Sequence, residues 1–341
     1  QNGRFALAYG ATPIEARERA ASGLLVNPTS LISQRLEWVS RIPSLADPDE
    51  TRFLRKCASV MKVNTLSPEG TIRQHWSTPD RVPHQHMWLW DSVFHTTGMN
   101  WLDPGLSWEF LQAMLEHARP GGCMPITVHV DGFSYNMTQP PVLAWGVWHN
   151  YHVTHNRERL AQAAPILAAY LEWNLHNRDQ NGNGLLEWLI EENERCRSGE
   201  SGMDNSPRFD SALVLDAVDF STFQAMDMHC LSLIYTELGE ADAATHWEGR
   251  ARSISHAIHE QLWNPAIQFY TDRDMQGNFT NVRSSSGFLP LLLPDLPIER
   301  LPALLAALKD PHAFASAFPV PSVSLDHPEF STDMWRGATW V

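Results

Sequence analysis

Apolar residues recur every three or four positions along most of this chain, the spacing of one helical face. Leu160, Ala164, Leu167, Leu171 and Leu175 keep one such stripe, and Trp247, Ala251, Ile254, Ile258 and Leu262 keep another. The pattern predicts helices over residues 14–43, 49–64, 86–101, 104–118, 141–155, 157–178, 219–238, 241–263 and 298–309. Pro104 and Pro141 stand where first-turn prolines belong, and Pro165 is expected to open a fresh helix rather than interrupt one. Only the stretches 126–130 and 268–271 read as strand among these helices. Near the start, Arg4-Phe5-Ala6-Leu7-Ala8-Tyr9-Gly10 alternates like a last strand with no sheet to join.

The predicted helices come in consecutive pairs. The first of a pair (86–101, 141–155, 219–238) is apolar nearly all round, and its partner (104–118, 157–178, 241–263) is more amphipathic. That alternation implies an all-α chain with two concentric helical layers, as in an α/α toroid whose second members lie outside. A solenoid of helix pairs would alternate likewise, but these repeats have neither fixed length nor self-similarity. Long, unequal inserts favour an enzyme over a scaffold, and the insert 179–218 is the longest. Residues 1–13 read as the end of an upstream β domain, 14–48 as a helical linker, and 49–341 as the main helical domain. Its apolar run is still in progress at Val341, so the domain reads as C-terminally incomplete.

Composition narrows the partners. Hydrophobic residues make up 43% of the 341 and charged residues 19%, ordinary for a soluble globular protein. No apolar run approaches the roughly 18 residues of a membrane span. A net charge of −14 disfavours nucleic acid and anionic membrane surfaces, leaving a small, neutral or locally steered ligand. The 4 cysteines (Cys57, Cys123, Cys196, Cys230) form no CxxC pair, so reduced, mostly buried thiols are the default reading. No signal peptide is visible, and the first residue is Gln1 rather than Met. The compartment therefore stays open, with the cytoplasm favoured. The outlier is 14 Trp, several of them clustered: Trp88 with Trp90, Trp101 with Trp108, Trp145 with Trp148, Trp335 with Trp340. Such rings pack cores, and they also stack on the C–H faces of sugars.

Four constellations carry candidate chemistry. Met87-Trp88-Leu89-Trp90-Asp91-Ser92 sets an acid among tryptophans at a helix start, where it is either a cap or a ligand holder. In Thr138-Gln139-Pro140-Pro141 the prolines stiffen a loop, and Gln139 can donate to and accept from hydroxyls. The turn Gly199-Glu200-Ser201-Gly202-Met203-Asp204-Asn205-Ser206-Pro207-Arg208 presents the Asp204 carboxyl from a glycine-flanked loop. Met334-Trp335-Arg336-Gly337 again joins an aromatic and a polar group to a glycine. Three of the four lie at or just before an inner-layer helix start. In a toroid those starts gather at one end.

In this order, Trp-Leu-Trp-Asp-Ser, Gln-Pro-Pro, Ser-Gly-Met-Asp-Asn-Ser-Pro-Arg and Trp-Arg-Gly resemble glycoside hydrolase family 63. That family includes processing α-glucosidase and the mannosylglycerate and glucosylglycerate hydrolases, and the trehalases are relatives. The match runs from about residue 60 onward. The resemblance implies an (α/α)6 barrel and hydrolysis of an α-glucosidic or α-mannosidic bond with inversion, Asp204 being the general acid. Trp88, Trp90, Asp91, Gln139 and Trp335 would then hold the sugar, with Trp145, Gly202, Arg208, Arg336 and Gly337 completing the substrate site. Arg336 is assigned to a hydroxyl or a substrate carboxylate. In the family the base is a glutamate well downstream of Trp-Arg-Gly. No residue here resembles it, and neither Glu200 nor Glu69 is taken for it, so this stretch alone is expected to be a poor catalyst.

No cofactor is required by this reading. One loop, Asp179-Gln180-Asn181-Gly182-Asn183-Gly184-Leu185-Leu186-Glu187, resembles the first half of a calcium loop, with Asp179, Asn181, Asn183, Leu185 and Glu187 as its ligand positions. Ile190 stands where the usual bidentate glutamate would be, so the competing reading is a hydrogen-bonded Asx turn. Among the 16 His, His84 and His86 are assigned to a cleft rim rather than to a metal. The competing functions are a carbohydrate-binding protein on the same toroid and another toroid enzyme such as a polysaccharide lyase. The small number of lysines speaks against the lyase.

Overall fold

Prolines set the helix starts in the first part of the chain. Pro13, Pro28 and Pro48 open α1 (Pro13–Leu25), α2 (Pro28–Ser40) and α3 (Pro48–Val63). A first-turn proline gives up an N–H that has no intrahelical partner anyway. The expected single helix over 14–43 is therefore two, because Asn27 caps the second by accepting from Thr29 N at 3.0 Å. The structure, a computed structural model, describes residues 3–10, 12–193 and 195–339, so Trp340 and Val341 lie outside the description. Chain contacts divide it into Gln1–Val63 and Asn64–Val341. Residues 3–10 form no strand, and Phe5, Leu7 and Tyr9 are exposed.

The second unit holds the candidate site. It begins with β1 (Thr65–Leu66), β2 (Trp76–Ser77) and β3 (Met87–Trp88), then α4 (Leu89–Leu102), α5 (Pro104–Leu115), β4 (Thr127–Val128), α6 (Leu143–Thr154) and α7 (Arg157–Arg178). There follow β5 (Glu187–Leu189), β6 (Val214–Asp216), α8 (Val218–Leu238), α9 (Ala241–Gln261), β7 (Trp263–Asn264), β8 (Phe269–Tyr270), β9 (Arg273–Asp274) and α10 (Leu301–Lys309). Helix dominates, and α4, α6 and α8 pack in series, each also packing on the helix that follows it. Most of α8 is buried, including Asp219, Gln224 and Asp227, whereas α4 exposes Phe94 and Trp101.

Several boundaries depart from the sequence pattern, each for a visible reason. α4 starts at Leu89 because Met87 and Trp88 pair with Val128 and Thr127 as a short antiparallel ladder. α6 starts at Leu143, not at Pro141, because the Asp227 carboxylate receives the N–H groups of Ala144 (3.0 Å) and Trp145 (2.7 Å). Pro165 opens no new helix: α7 runs unbroken from Arg157 to Arg178 through it. The bond lost at the proline is offset by burial on both sides, at Leu160, Ala163, Ala164 and Leu167. Strands the pattern did not signal appear as pairs of two or three residues, and β5, β6 and β9 form an antiparallel sheet in that order. Runs that short have no room for a period-two signal.

Two apolar cores result. The larger joins α4 to α9, and the smaller comprises Leu186, Trp188, Ile190, Met203, Phe209, Leu215, Ala217 and Phe220, with Trp335 packed on its edge. The smaller one lies beneath the turn that carries Asp204. Met203 and Phe209 on either side of the acid are its anchors.

Candidate active site

The four constellations are built into one cleft of 540 Å³, and its lining includes Trp88, Trp90, Asp91, Gln139, Gly202, Asp204 and Trp335. Each reaches it for a local reason. Trp88 ends β3, and Asp91 lies in the first turn of α4, where Trp88 rather than the acid occupies the cap position. Gln139 is tied to that helix by accepting from Trp90 N at 3.1 Å, while its own carbonyl accepts from the Tyr170 hydroxyl at 2.7 Å. A wider groove of 760 Å³ runs along α7 beside Pro165 and Trp173. It gathers none of these motifs, so size alone does not choose the site.

The acid turn is over-determined. Gly202 has φ +69°, and a Cβ there would sit 2.3 Å from a ring carbon of Trp90, so only glycine lets the indole lie against the turn. The Asp204 carbonyl accepts from Arg197 N (2.7 Å) and Ser198 N (3.1 Å). Asn205 knits the turn to the last motif: its Oδ1 accepts from Trp335 N (2.9 Å), and its carbonyl accepts from Arg336 Nη1 (3.1 Å). Glu200 is buried and paired with Arg178 at 2.5 Å while accepting from Thr138 N at 2.9 Å, which joins the turn to the Gln139 loop.

Burial raises the Asp204 carboxyl above its ordinary value, opposed by its own backbone N–H, the Cys196 thiol and the charge of His84. Burial also pushes Asp91 up to about 6. A carboxyl withdrawn from water holds its proton longer, as a proton donor near neutral pH requires. The cleft therefore offers two carboxyls with raised affinity for protons, indole faces, and a carboxamide. That set suits a neutral, hydroxyl-rich ligand with an apolar ring face.

Comparison with known proteins agrees with this chemistry. Residues 84–341 match the family model described as the mannosylglycerate hydrolase MGH1-like glycoside hydrolase domain. The chain belongs to that family. A mannosylglycerate hydrolase from Thermus thermophilus is 25% identical over 348 residues, covering 79% of this chain and 82% of the relative. An uncharacterised protein from Borreliella burgdorferi is 28% identical over 194 residues, where this chain spans 38% of the relative's length. Among solved structures, a family 63 mannosylglycerate hydrolase from Thermus thermophilus in complex with glucose superposes with a TM-score of 0.72 at 23% identity. The match covers 84% of this chain and 82% of that one, and at this identity it speaks for the fold.

In this MGH1-like chain several predicted residues do not line the cleft. Arg208 is fully buried, forked between Asp219 (2.5 Å) and Asp272 (2.7 Å), with Asp219 also accepting from Trp188 Nε1 at 2.8 Å. It pins the acid turn from below rather than facing a ligand. Trp145 packs against His149 and Phe94. Arg336 is paired with Asp210 at 2.8 Å and Glu329 at 3.5 Å. Gly337 is tucked where a Cβ would meet Ser331 O at 2.3 Å. His84 does line the cleft, its Nδ1 held by Asp80 at 2.9 Å, whereas His86 stacks on His129.

Six lining residues escaped the sequence reading: Pro79, Ile126, Thr127, Tyr135, Met137 and Cys196. Tyr135 and Met137 sit just before the Gln139 motif, and Cys196 just before Gly199, so nearness to a motif was the available signal. The 179–187 loop turns most of its oxygens onto its own backbone, while Asp179 Oδ1 is buried with no hydrogen-bond partner. Both Glu187 oxygens accept from Gln180 N, Asn181 Oδ1 accepts from Asn183 N, Asn183 Oδ1 from Leu185 N, and Asp179 Oδ2 from Gly184 N. Leu185 could offer only its backbone carbonyl. These bonds make a stack of Asx turns. Among the described residues no group of three or more His, Cys, Asp or Glu gathers as a metal site would require.

Proposed function

We propose that this chain is an inverting α-glycosidase acting on a small glycoside, of the glucosylglycerate or mannosylglycerate kind, with Asp204 as its general acid. The reading rests on the (α/α)6 toroid of its family, of which α4 to α9 would supply three consecutive pairs. Residues 49–341 would form the catalytic domain and residues 14–48 a helical linker. The observation that carries the reading is the placement of the half-buried Asp204 carboxyl in the same cleft as Trp88, Trp90, Gln139 and Trp335.

The mechanism follows from that placement. A sugar ring stacks on the indoles, with Asp91 and Gln139 receiving and donating hydrogen bonds to its hydroxyls. Asp204, protonated, gives its proton to the glycosidic oxygen as the bond to the anomeric carbon breaks and the electron pair leaves with that oxygen. Water attacks the opposite face, activated by a carboxylate roughly 6.5–9.5 Å away. Glu200 does not take that role, because Arg178 and Thr138 already occupy it. No glutamate lines the cleft among the described residues, so the base is left unassigned. His84 is the basic group among the described lining residues, with no Arg or Lys, a poor set for a lyase that must neutralise a uronate.

The test is product stereochemistry. Full-length protein is mixed with glucosylglycerate, mannosylglycerate and a neutral aryl α-glycoside, and the first-formed sugar is followed by proton NMR. Inversion yields the β-anomer first. An α-anomer first, or no cleavage of any α-glycoside, would overturn the proposal.

A further inference from the structure

The rim loop that leads into β3 is built to hold one side chain. The Thr78 hydroxyl lies within hydrogen-bond reach of the carbonyls of Asp80 (2.8 Å) and His84 (2.5 Å), which closes residues 78–84 into a tight bend. Across that bend Asp80 Oδ1 accepts from His84 N, and its Oδ2 meets Nδ1 of the ring, both at 2.9 Å. The bond to His84 holds the Asp80 carboxyl below its ordinary value, so it stays ionised. A carboxylate only accepts, so Nδ1 carries its hydrogen and points it at Asp80. Nε2, on the other side of the ring, bonds to no described residue, and the side chain, 52% exposed, lines the cleft. The ring stands edge-on to Trp88 with centroids 5.7 Å apart, beside an indole assigned to the sugar.

We propose that His84 determines specificity by reading the carboxylate of a glycerate aglycone, its protonated Nε2 donating to one carboxylate oxygen while Asp80 holds the ring from behind. This rests on the glycosidase reading and adds what selects an acidic glycoside over a neutral one. Arg336, the cation first assigned to a substrate carboxylate, is spent on Asp210 and Glu329, and Arg208 is buried between Asp219 and Asp272. His84 is the basic group among the described lining residues. Its charge is felt at Asp204 and at Asp91, so it stands near the proton donor as well as the sugar platform. The aglycone leaves on the oxygen that Asp204 protonates, and its carboxylate therefore lies on that side of the sugar. Asp80 already balances the imidazolium, and half of the ring is in water, so the gain comes from one charge-assisted hydrogen bond rather than from net attraction. Holding a carboxylate asks for no more than this, whereas a lyase must also neutralise it while the neighbouring C–H ionises.

The experiment sets the glycerate glycoside, gluco or manno, against its glycerol counterpart, which carries a hydroxymethyl group in place of the carboxylate. Both are given to full-length native protein and to His84→Gln. The native protein is expected to prefer the acidic glycoside in kcat/KM. Glutamine keeps a donor but no charge, and is expected to cut that preference about fivefold to tenfold, through KM rather than kcat. A preference left unaltered by the substitution would overturn the proposal. A second readout needs no turnover: free glycerate is expected to shift the ring-nitrogen NMR resonances of His84, assigned with His84→Gln, and glycerol to leave them in place. Should no α-glycoside be cleaved, the glycosidase reading fails while this titration still decides the carboxylate site. His84 resonances unmoved by glycerate would overturn it.

Discussion

A methyl group on Gly202 would have nowhere to go. The backbone there has φ +69°, and the added carbon would meet two ring atoms of Trp90 at 2.3 and 2.4 Å. The indole is the part that can yield, so the cost falls on the cleft wall before it falls on the fold. Gly202→Ala is expected to weaken sugar binding several-fold, read by tryptophan fluorescence, and to cost about 1–3 kcal/mol in urea unfolding. Unchanged binding would mean that Trp90 is not part of the sugar platform. At this scale the sequence was informative where a residue type has few explanations. An aspartate in a loop, two residues after a glycine and just before an asparagine, an acid beside tryptophans and an amide beside prolines all reached the cleft. It was misleading for Arg208 and Arg336, since a cation near a motif can serve the motif's own carboxylates as readily as a ligand. Asp219 and Asp272, which claim Arg208, lie far from it in sequence, so nothing local announced the pairing.

Among the elements, α6 shows how a buried charge decides a boundary. Asp227, projecting from α8, receives the first N–H groups of α6, and burial pushes its carboxyl from the ordinary 3.8 up to about 7 against those donors. A carboxyl that binds its proton more tightly in the folded chain stabilises the fold fully below its unfolded value. That contribution fades as pH rises through about 7. Native stability is therefore expected to fall from pH 4 toward pH 7, and Asp227→Asn to flatten this slope in urea unfolding. A slope unaltered by the substitution would show that the carboxyl is ionised throughout. The helices themselves were legible because their apolar stripes are long, and Pro28 and Pro165 mark the limits of that reading. The first proline breaks a predicted helix because Asn27 caps a new one there, and the second fails to start one because burial on both sides carries α7 through it. The 179–187 loop is a similar lesson, its alternating oxygens being spent on backbone N–H groups. Its Tm is expected to be the same with calcium and with a chelator, and a drop on chelation would reveal an ion that holds the turn.

For the whole molecule, convergence is the property that no local window contains. Trp88, Trp90, Asp91, Gln139, Gly202, Asp204 and Trp335 line one cleft although they lie far apart along the chain. The alternation of buried and amphipathic helices and the family resemblance together predict such a meeting. Of the short strands that fix the loops, β4 falls in the stretch 126–130 that reads as strand, whereas β3, β5 and β6 give no signal in the pattern, so the cleft's walls were less readable than its floor. No helix among the described residues is long and apolar enough to cross a membrane. The central claim is that a sugar bound in this cleft is cleaved by protonation from Asp204. The most direct measurement is turnover of an α-glycoside by full-length protein and its Asp204→Asn variant, with binding followed in parallel by tryptophan fluorescence. The account predicts turnover reduced by at least about 10²-fold with binding preserved; undiminished turnover in the variant would contradict it.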